Sequence, residues 1–60
     1  MFSIGDVVRV LPPFADSFPG EHAVIEIINN HDGTTVYVVD NGDGDPDNDG
    51  YFDARFLEVA

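Results

Sequence analysis

The sequence predicts an all-β fold, a small antiparallel barrel of five short strands that forms a single domain over residues 1–60. Short runs rich in valine and isoleucine are separated by Pro-, Gly- and Asp-rich turns, which is the pattern of strands joined by tight connections. No segment carries an apolar period of 3.6 over about ten residues, so we expect no helix longer than a single turn. Strands this short, with one long loop among them, favour a strongly bent barrel.

The first strand is predicted over Asp6 to Leu11, with Val8 and Val10 on one face and Arg9 on the other. It ends before Pro12-Pro13, because proline has no N–H to donate to a sheet ladder. The segment from Pro12 to Gly20, here called the aromatic loop because it contains two phenylalanines, leads to the next strand. Its last two residues, Pro19-Gly20, are a turn signal.

The second strand is predicted over His22 to Ile28. Since side chains alternate between the two faces of a strand, its cleaner apolar face is formed by Ala23, Ile25 and Ile27. Glu26 falls on the other face. A hairpin connection is predicted after this strand, at Asn29 to Gly33, because Asp-Gly is among the strongest short hairpin signals.

The acidic loop, defined as Asp40 to Gly50, separates the last predicted strands from the rest of the sheet. The remaining elements are a third strand over Thr34 to Val39, a fourth over Tyr51 to Asp53, a single 3-10 turn over Ala54 to Phe56 and a fifth strand over Phe56 to Val59.

Three stretches carry a family resemblance, namely Ile4 to Val10, Phe18 to Val24 and Phe52 to Glu58. They are similar to the SH3-like barrels of the bacterial and plastid kind, the group that includes the E-type subunit of photosystem I, the C-terminal domain of the nitrile hydratase β-subunit and the KOW-type modules. The resemblance covers nearly the whole chain and implies a five-stranded SH3-like barrel. Such barrels usually serve as docking modules within larger assemblies, so the resemblance implies no specific activity.

The charge balance restricts the class of partner. Twelve acidic residues face only Arg9 and Arg55, which gives a net charge of -10 without any lysine. This charge repels nucleic acid and anionic membranes and attracts cations and basic proteins. It is also typical of proteins from salt-accumulating organisms. Because there are no cysteines, the remaining means of stabilising so small a domain are an oxygen-ligated metal and weak self-association.

The strongest chemical signal is the run from Asp45 to Asp53, which has the pattern D-x-D-x-D-G-x-x-D. Six aspartates lie between Asp40 and Asp53 with no basic residue among them, so a divalent cation would offset their repulsion. Calcium takes about six to eight oxygen ligands, and acidic residues at alternate positions can converge on one ion. We therefore predict a calcium site, with Gly50 allowing the backbone turn. The predicted ligands are the carboxylates of Asp45, Asp47, Asp49 and Asp53 and the backbone carbonyl of Tyr51.

Two calcium loops resemble this run. An EF-hand loop carries a glutamate at its twelfth position, where this chain has Phe56, and no flanking helices are predicted. The closer match is the calcium-binding hairpin loop of integrin-type propeller repeats, in which the same pattern joins two strands. A whole propeller does not fit in sixty residues, so the resemblance is restricted to the loop. The alternative is a solvated acidic loop with no ion, and both interpretations stay open.

Aromatic residues form a second candidate site. Phe14 and Phe18 of the aromatic loop, with Tyr37 and Tyr51, are predicted to line an exposed groove for a partner protein or peptide. The alternative is that Phe14 and Phe18 fold back and cover a barrel too small to close on its own.

No enzyme is predicted. His22 and His31 lie at a strand start and in a turn, where histidines are usually solvated, and the glycines of the acidic loop lie among aspartates that repel phosphate. No stretch reaches the ~18 apolar residues of a membrane span, and the N-terminus lacks the pattern of a signal peptide. We therefore expect by default a cytoplasmic protein, the alternative being a leader that lies outside this chain. The sequence thus predicts a non-enzymatic module with a calcium-stabilised loop or, alternatively, a protein-interaction module without an ion.

Overall fold

The computed structural model describes residues 2–42 and 44–60, so Asp43, one of the six aspartates considered above, lies outside the described residues. The all-β prediction is confirmed: five antiparallel strands form one sheet. The strands are β1 (Val7–Val10), β2 (Glu21–Asn29), β3 (Thr35–Val39), β4 (Gly50–Asp53) and β5 (Leu57–Val59). The predicted 3-10 turn before the last strand is present at Ala54–Phe56, and another occupies Pro46–Asn48 in the acidic loop.

The prediction of a closed barrel is wrong. The strand order is β4-β3-β2-β1-β5, and over the described residues β4 and β5 remain the two open edges. The sheet is nevertheless strongly curled, because only the turn Ala54–Phe56 connects these edges. Four strand spacings of a flat sheet would separate them by about 19 Å, whereas the connection reaches at most about 14 Å. The 3-10 turn packs against both edge strands.

The core lies on the inner face of the curled sheet. As predicted, Val8 and Val10 point inward from β1 while Arg9 is exposed. The buried cluster is formed by Phe2, Val8, Val10, Val24, Tyr37, Val39, Phe52 and Leu57. A cluster of this size buries little apolar area, which places the domain among the marginally stable ones.

A β-bulge in β2 overturns the predicted apolar face of that strand. Val24 pairs with Val39 and Glu26 with Val38, which leaves Ile25 as an extra residue between two pairs. The bulge shifts the alternation by one residue, so the inward residues are Val24 before it and Ile27 after it. Ile25 is 43% exposed. The prediction that Ala23, Ile25 and Ile27 share one apolar face is therefore wrong.

The Asp-Gly hairpin between β2 and β3 is confirmed. Gly33 has a positive φ of 89°, a conformation that glycine adopts without steric cost. Asp32 Oδ1 accepts hydrogen bonds from the Thr34 hydroxyl at 2.6 Å and from the Thr34 N–H at 3.0 Å. These bonds, the hydroxyl contribution being the larger, lower the pKa of Asp32 below its usual value.

Within the described residues no helix is long and apolar enough to cross a membrane. The predicted cytoplasmic location stays a prediction.

Candidate functional site

The acidic loop is organised by hydrogen bonds to its own backbone. Asp45 Oδ1 accepts from the N–H of Asp47 at 3.0 Å, and the Asp45 carbonyl accepts from the N–H of Asn48 at 3.0 Å. The Asn41 side-chain amide donates to the Asn48 carbonyl at 3.0 Å. Side chains of this kind stabilise turns by replacing backbone partners. The 3-10 turn Pro46–Asn48 is therefore supported by hydrogen bonds between short polar side chains and nearby backbone groups.

The structure does not gather the predicted calcium ligands. Asp53 Oδ1 accepts from the N–H of Arg55 at 3.1 Å and caps the 3-10 turn before β5. Tyr51 lies in β4 opposite Val38, so its carbonyl belongs to a strand rather than to a loop. Among the described residues no group of three or more His, Cys, Asp and Glu side chains is placed to hold a metal ion. The calcium site stays a prediction, and it would require these side chains to move.

Packing, rather than a turn, explains the glycine of the aspartate run. Gly50 is buried at the start of β4 and does not share the positive φ values of the loop glycines. A Cβ atom built on it would lie 2.9 Å from Cε2 and Cζ of Phe18 and would overlap Cε2 of Phe52. Since these rings occupy the space, the position requires glycine.

The aromatic loop folds back onto the sheet. The Phe18 ring lies 5.3 Å from the Phe52 ring, edge to face, and the Phe14 ring lies 5.1 Å from the Phe56 ring. This is the arrangement of the alternative interpretation, in which the two phenylalanines cover the core. Phe14 keeps 42% of its surface exposed, whereas Phe18 is half-buried.

The predicted aromatic groove is not assembled. Tyr37 is 5% exposed in the core, with its ring edge-on to Phe2 at 5.3 Å. Tyr51 is 62% exposed and lies on the outer face, opposite to its neighbour Phe52. Of the four predicted partner-binding residues, Phe14 and Phe18 lie together over the core, Tyr37 lies inside it and Tyr51 lies on the other side of the sheet.

Tyr51 instead belongs to an apolar surface on the outer face, here called the outer strip. It consists of five residues: Ile25, Ile28, Val36, Val38 and Tyr51. Ile25 is the bulge residue, and Ile28 and Val36 are half-buried. Val38 is 2% exposed although it does not belong to the core cluster. Its cross-strand partners are Glu26 and Tyr51, so side chains on the outer face cover it. This surface could not be predicted, because the bulge that brings Ile25 outward has no sequence signal.

Both basic residues are already engaged. Arg9 approaches Glu21 at 3.6 Å and Glu58 at 3.5 Å, across three strands of the outer face. The Arg55 guanidinium lies 4.8 Å from the centre of the Phe56 ring. The negative charge of the remaining surface is therefore available to external cations.

His22 is the polar residue whose environment departs most from the expected one. The sequence predicts a solvated side chain, but the ring is 8% exposed and points inward from β2. Both ring nitrogens approach backbone carbonyl oxygens. Its burial is not evident from the sequence, because the acceptor on one side, the Asp40 carbonyl, lies far away along the chain.

Comparisons with protein-family models, with curated proteins and with solved structures found no match to this chain. The SH3-like resemblance therefore stays a prediction, and the candidate sites depend on the residues described above.

Proposed function

We propose that this domain is a non-enzymatic interaction module that binds an extended, Lys/Arg-rich segment of another protein on its outer strip. The observation that carries the proposal is an apolar surface, with Ile25 43% and Tyr51 62% exposed, on a protein of net charge -10. Exposed apolar residues surrounded by charge mark interaction surfaces. Exposed aromatic side chains are enriched among the residues that dominate binding energy.

The charges around the outer strip select a cationic partner. Glu26 lies beside Val38 and Asp53 beside Val36, so each carboxylate borders the apolar surface. An arginine or lysine laid there places its aliphatic stem on the strip and its charge near a carboxylate. The Tyr51 ring offers a face for a cation as well.

The open edge at β4 adds a main-chain contribution. β4 is a terminal strand of the sheet, and an extended segment can pair with such an edge while its side chains contact the sheet face. A second copy of this chain is a poor occupant, since two surfaces of strong negative charge repel each other. A basic segment is attracted by the same field.

The test uses three short labelled peptides that alternate lysine with valine, lysine with serine, or glutamate with valine, and measures binding by fluorescence polarisation. We expect the lysine–valine peptide to bind best, because it supplies both charge and apolar contact. Tyr51→Ser should weaken it about tenfold, the size of a moderate hot spot. The matched control is Val59→Ser, which removes an equally exposed side chain (68% against 62%) from the opposite edge of the sheet.

Three results would overturn the proposal. The first is the absence of binding by the lysine–valine peptide at low salt. The second is equal affinity of the Tyr51→Ser and Val59→Ser variants, and the third is equally strong binding of the lysine–serine peptide. Either of the last two would mean that binding follows net charge alone.

Calcium binding by the acidic loop is the second candidate. The supporting observation is that Asp45 and Asp49 flank a single 3-10 turn, Pro46–Asn48, which itself contains Asp47. Asp45 and Asp53 already accept hydrogen bonds from backbone N–H groups, which compete with ligation for their carboxylate oxygens. We therefore expect a weak site.

Thermal melts distinguish specific calcium binding from general screening of the charge repulsion by salt. Millimolar calcium should raise the Tm above the value in sodium chloride of equal ionic strength, because binding to the folded state alone adds about 2.7 kcal/mol at one hundred times Kd. Asp47→Ala combined with Asp49→Ala should remove the rise. Identical melts in calcium and in matched sodium would refute calcium binding and leave the peptide proposal untouched.

A further inference from the structure

The hydrogen bonds at the two ends of β3 show which of its residues bond to β2. The Asn30 N–H donates to the Thr34 carbonyl at 2.9 Å, and the Asp40 N–H donates to the Ala23 carbonyl at 3.0 Å. In an antiparallel sheet the N–H and C=O of one residue are directed to the same neighbouring strand, and successive residues alternate between the two neighbours. Since Thr34 and Asp40 flank β3, its even-numbered residues bond to β2 and its odd-numbered residues face β4.

The same alternation defines the free edge of β4. Phe52 pairs with Tyr37, an odd-numbered residue of β3, so its N–H and C=O are directed to β3. The main-chain groups of its neighbour Tyr51 are therefore directed away from β3, to an edge that is open over the described residues. Tyr51 thus presents an N–H and a C=O to the edge and its side chain to the outer face.

The opposite edge of the sheet is less suited to an added strand. β5 has only three residues. The Phe56 carbonyl accepts from the Leu11 N–H on the β1 side, so Leu57 faces the edge. Its N–H, however, already donates to the Ala54 carbonyl. β4 is therefore the better template for an extended segment.

Aromatic rings lie on both faces of β4. On the inner face the centre of the Phe14 ring lies 5.8 Å from that of Phe52 and 5.1 Å from that of Phe56 in the following 3-10 turn. Phe14 keeps 42% of its surface exposed, and Tyr51 on the outer face keeps 62%. A strand added to β4 would therefore find an exposed ring on either face.

We propose that the partner segment adds to β4 as an antiparallel strand whose alternate side chains contact Tyr51 on the outer face and Phe14 on the inner face. This inference rests on the function proposed above and specifies the partner. Opposite residues of an antiparallel pair share one face of the sheet. The residue that exchanges two hydrogen bonds with Tyr51 therefore points to the outer strip, and its two neighbours point to the inner face.

The chemistry of the two faces defines the sequence of the partner. On the outer face Glu26 and Tyr51 both lie beside Val38, so an outward lysine or arginine meets a carboxylate and the face of an aromatic ring. On the inner face the exposed ring of Phe14 offers an apolar contact, which selects aliphatic or aromatic side chains. The partner therefore alternates basic and apolar residues over about the length of β4.

N-methylation of the peptide main chain tests this register without altering the protein. Two forms of the lysine–valine peptide are compared, one methylated at the N–H of every lysine and the other at that of every valine. They are matched in side chains and in the number of methyl groups. In the antiparallel register the lysine N–H groups bond to β4 and the valine N–H groups face away. We expect lysine methylation to weaken binding about tenfold, and valine methylation to change it less than about twofold.

The outcomes separate this register from the function on which it rests. Equal affinities of the two methylated peptides would mean that no strand is added, and weaker binding of the valine-methylated peptide would mean a parallel strand. Either result overturns the inference but leaves the outer-strip proposal standing, provided that the unmethylated peptide responds to Tyr51→Ser. Absence of binding by the unmethylated peptide overturns both.

A double-mutant cycle between protein and peptide tests the contact with Phe14. Phe14→Ala and replacement of the peptide valines by alanine should be non-additive, because both changes remove the same contact. Tyr51→Ser, on the other face, is the matched control and should be additive with the valine replacement. Additive effects for Phe14→Ala would overturn the assignment of the inner face. If Phe14→Ala does not fold, Phe14→Leu, which keeps an apolar cover over Phe52, takes its place in the cycle.

Discussion

The packing at Gly50 gives the sharpest test of the structure. Replacing Gly50 by Ala places a methyl group where the Phe18 ring atoms are 2.9 Å away and where Phe52 Cε2 already lies. The backbone there is extended β4, so the substitution introduces no φ strain. The cost in the folded state therefore comes from the displaced rings.

Forcing a methyl group into packed rings costs about 1–3 kcal/mol. Replacing glycine by alanine also reduces the conformational entropy of the unfolded chain, which stabilises the folded state by about 0.4–1 kcal/mol. The net loss of stability is therefore about 1–2 kcal/mol. A domain of sixty residues has a total stability of roughly 3–9 kcal/mol. At about 4–8 °C per kcal/mol for a domain of this size, we expect the Tm to fall by roughly 5–15 °C.

A double-mutant cycle that combines Gly50→Ala with Phe18→Leu, measured by urea unfolding, tests whether the loss of stability comes from the clash with the Phe18 ring. The smaller side chain frees space for the methyl group and lets the Phe52 ring turn, so the loss from Gly50→Ala should be much smaller in the Phe18→Leu background. Gly33→Ala is the control, because nothing lies within 4 Å of its added methyl group. The stability that it costs arises from the positive φ of Gly33, so Phe18→Leu should not change that cost. Strictly additive costs for Gly50→Ala and Phe18→Leu would refute the packing explanation.

Two further predictions address the sheet and its hairpin. Val8 and Val59 pair across β1 and β5, but Val8 is fully buried whereas Val59, on the edge strand, is 68% exposed. Val8→Ala should therefore cost roughly 2 kcal/mol and Val59→Ala under about 0.5 kcal/mol in urea unfolding, and equal costs would contradict the assigned burial of the two side chains. The lowered pKa of Asp32 means that its bonds to Thr34 stabilise the hairpin above the ordinary carboxylate pKa of about 3.9 and are lost as the pH falls through the folded value. The Tm difference between wild type and Asp32→Ala should therefore narrow in acid, and a difference that stays constant down to pH values where the carboxylate is protonated would contradict this role.

The elements that depend on local sequence were predictable. The Asp32-Gly33 hairpin follows from one turn dipeptide, and β1 follows from the alternation of Val8 and Val10 with Arg9. The 3-10 turn Ala54–Phe56 begins at Asp53, whose side chain caps it. In each case the residues that determine the structure lie within a few positions of one another.

The features that depend on distant partners were not predictable. The bulge at Ile25 is defined only by the register of β2 against β3, and it decides which isoleucine is outside. Whether the sheet closes depends on the meeting of two edges from different parts of the chain. The acidic loop has the composition of an ion site, yet Asp45 within it and Asp53 beyond it accept hydrogen bonds from nearby N–H groups. The D-x-D-x-D-G pattern does not distinguish this outcome from ligation.

The pairing of β1 with β5 has a consequence for the order of folding. Val8 pairs with Val59, almost a whole chain length away, whereas β2, β3 and β4 follow one another along the sequence. Closing a long loop costs more conformational entropy than closing a short one, so the three consecutive strands can form a nucleus before β5 arrives. The C-terminal strand should then dock last, and its amide protons should exchange with solvent sooner than those of β2 and β3. During synthesis Val8 would acquire its second neighbour only after β5 had left the ribosome.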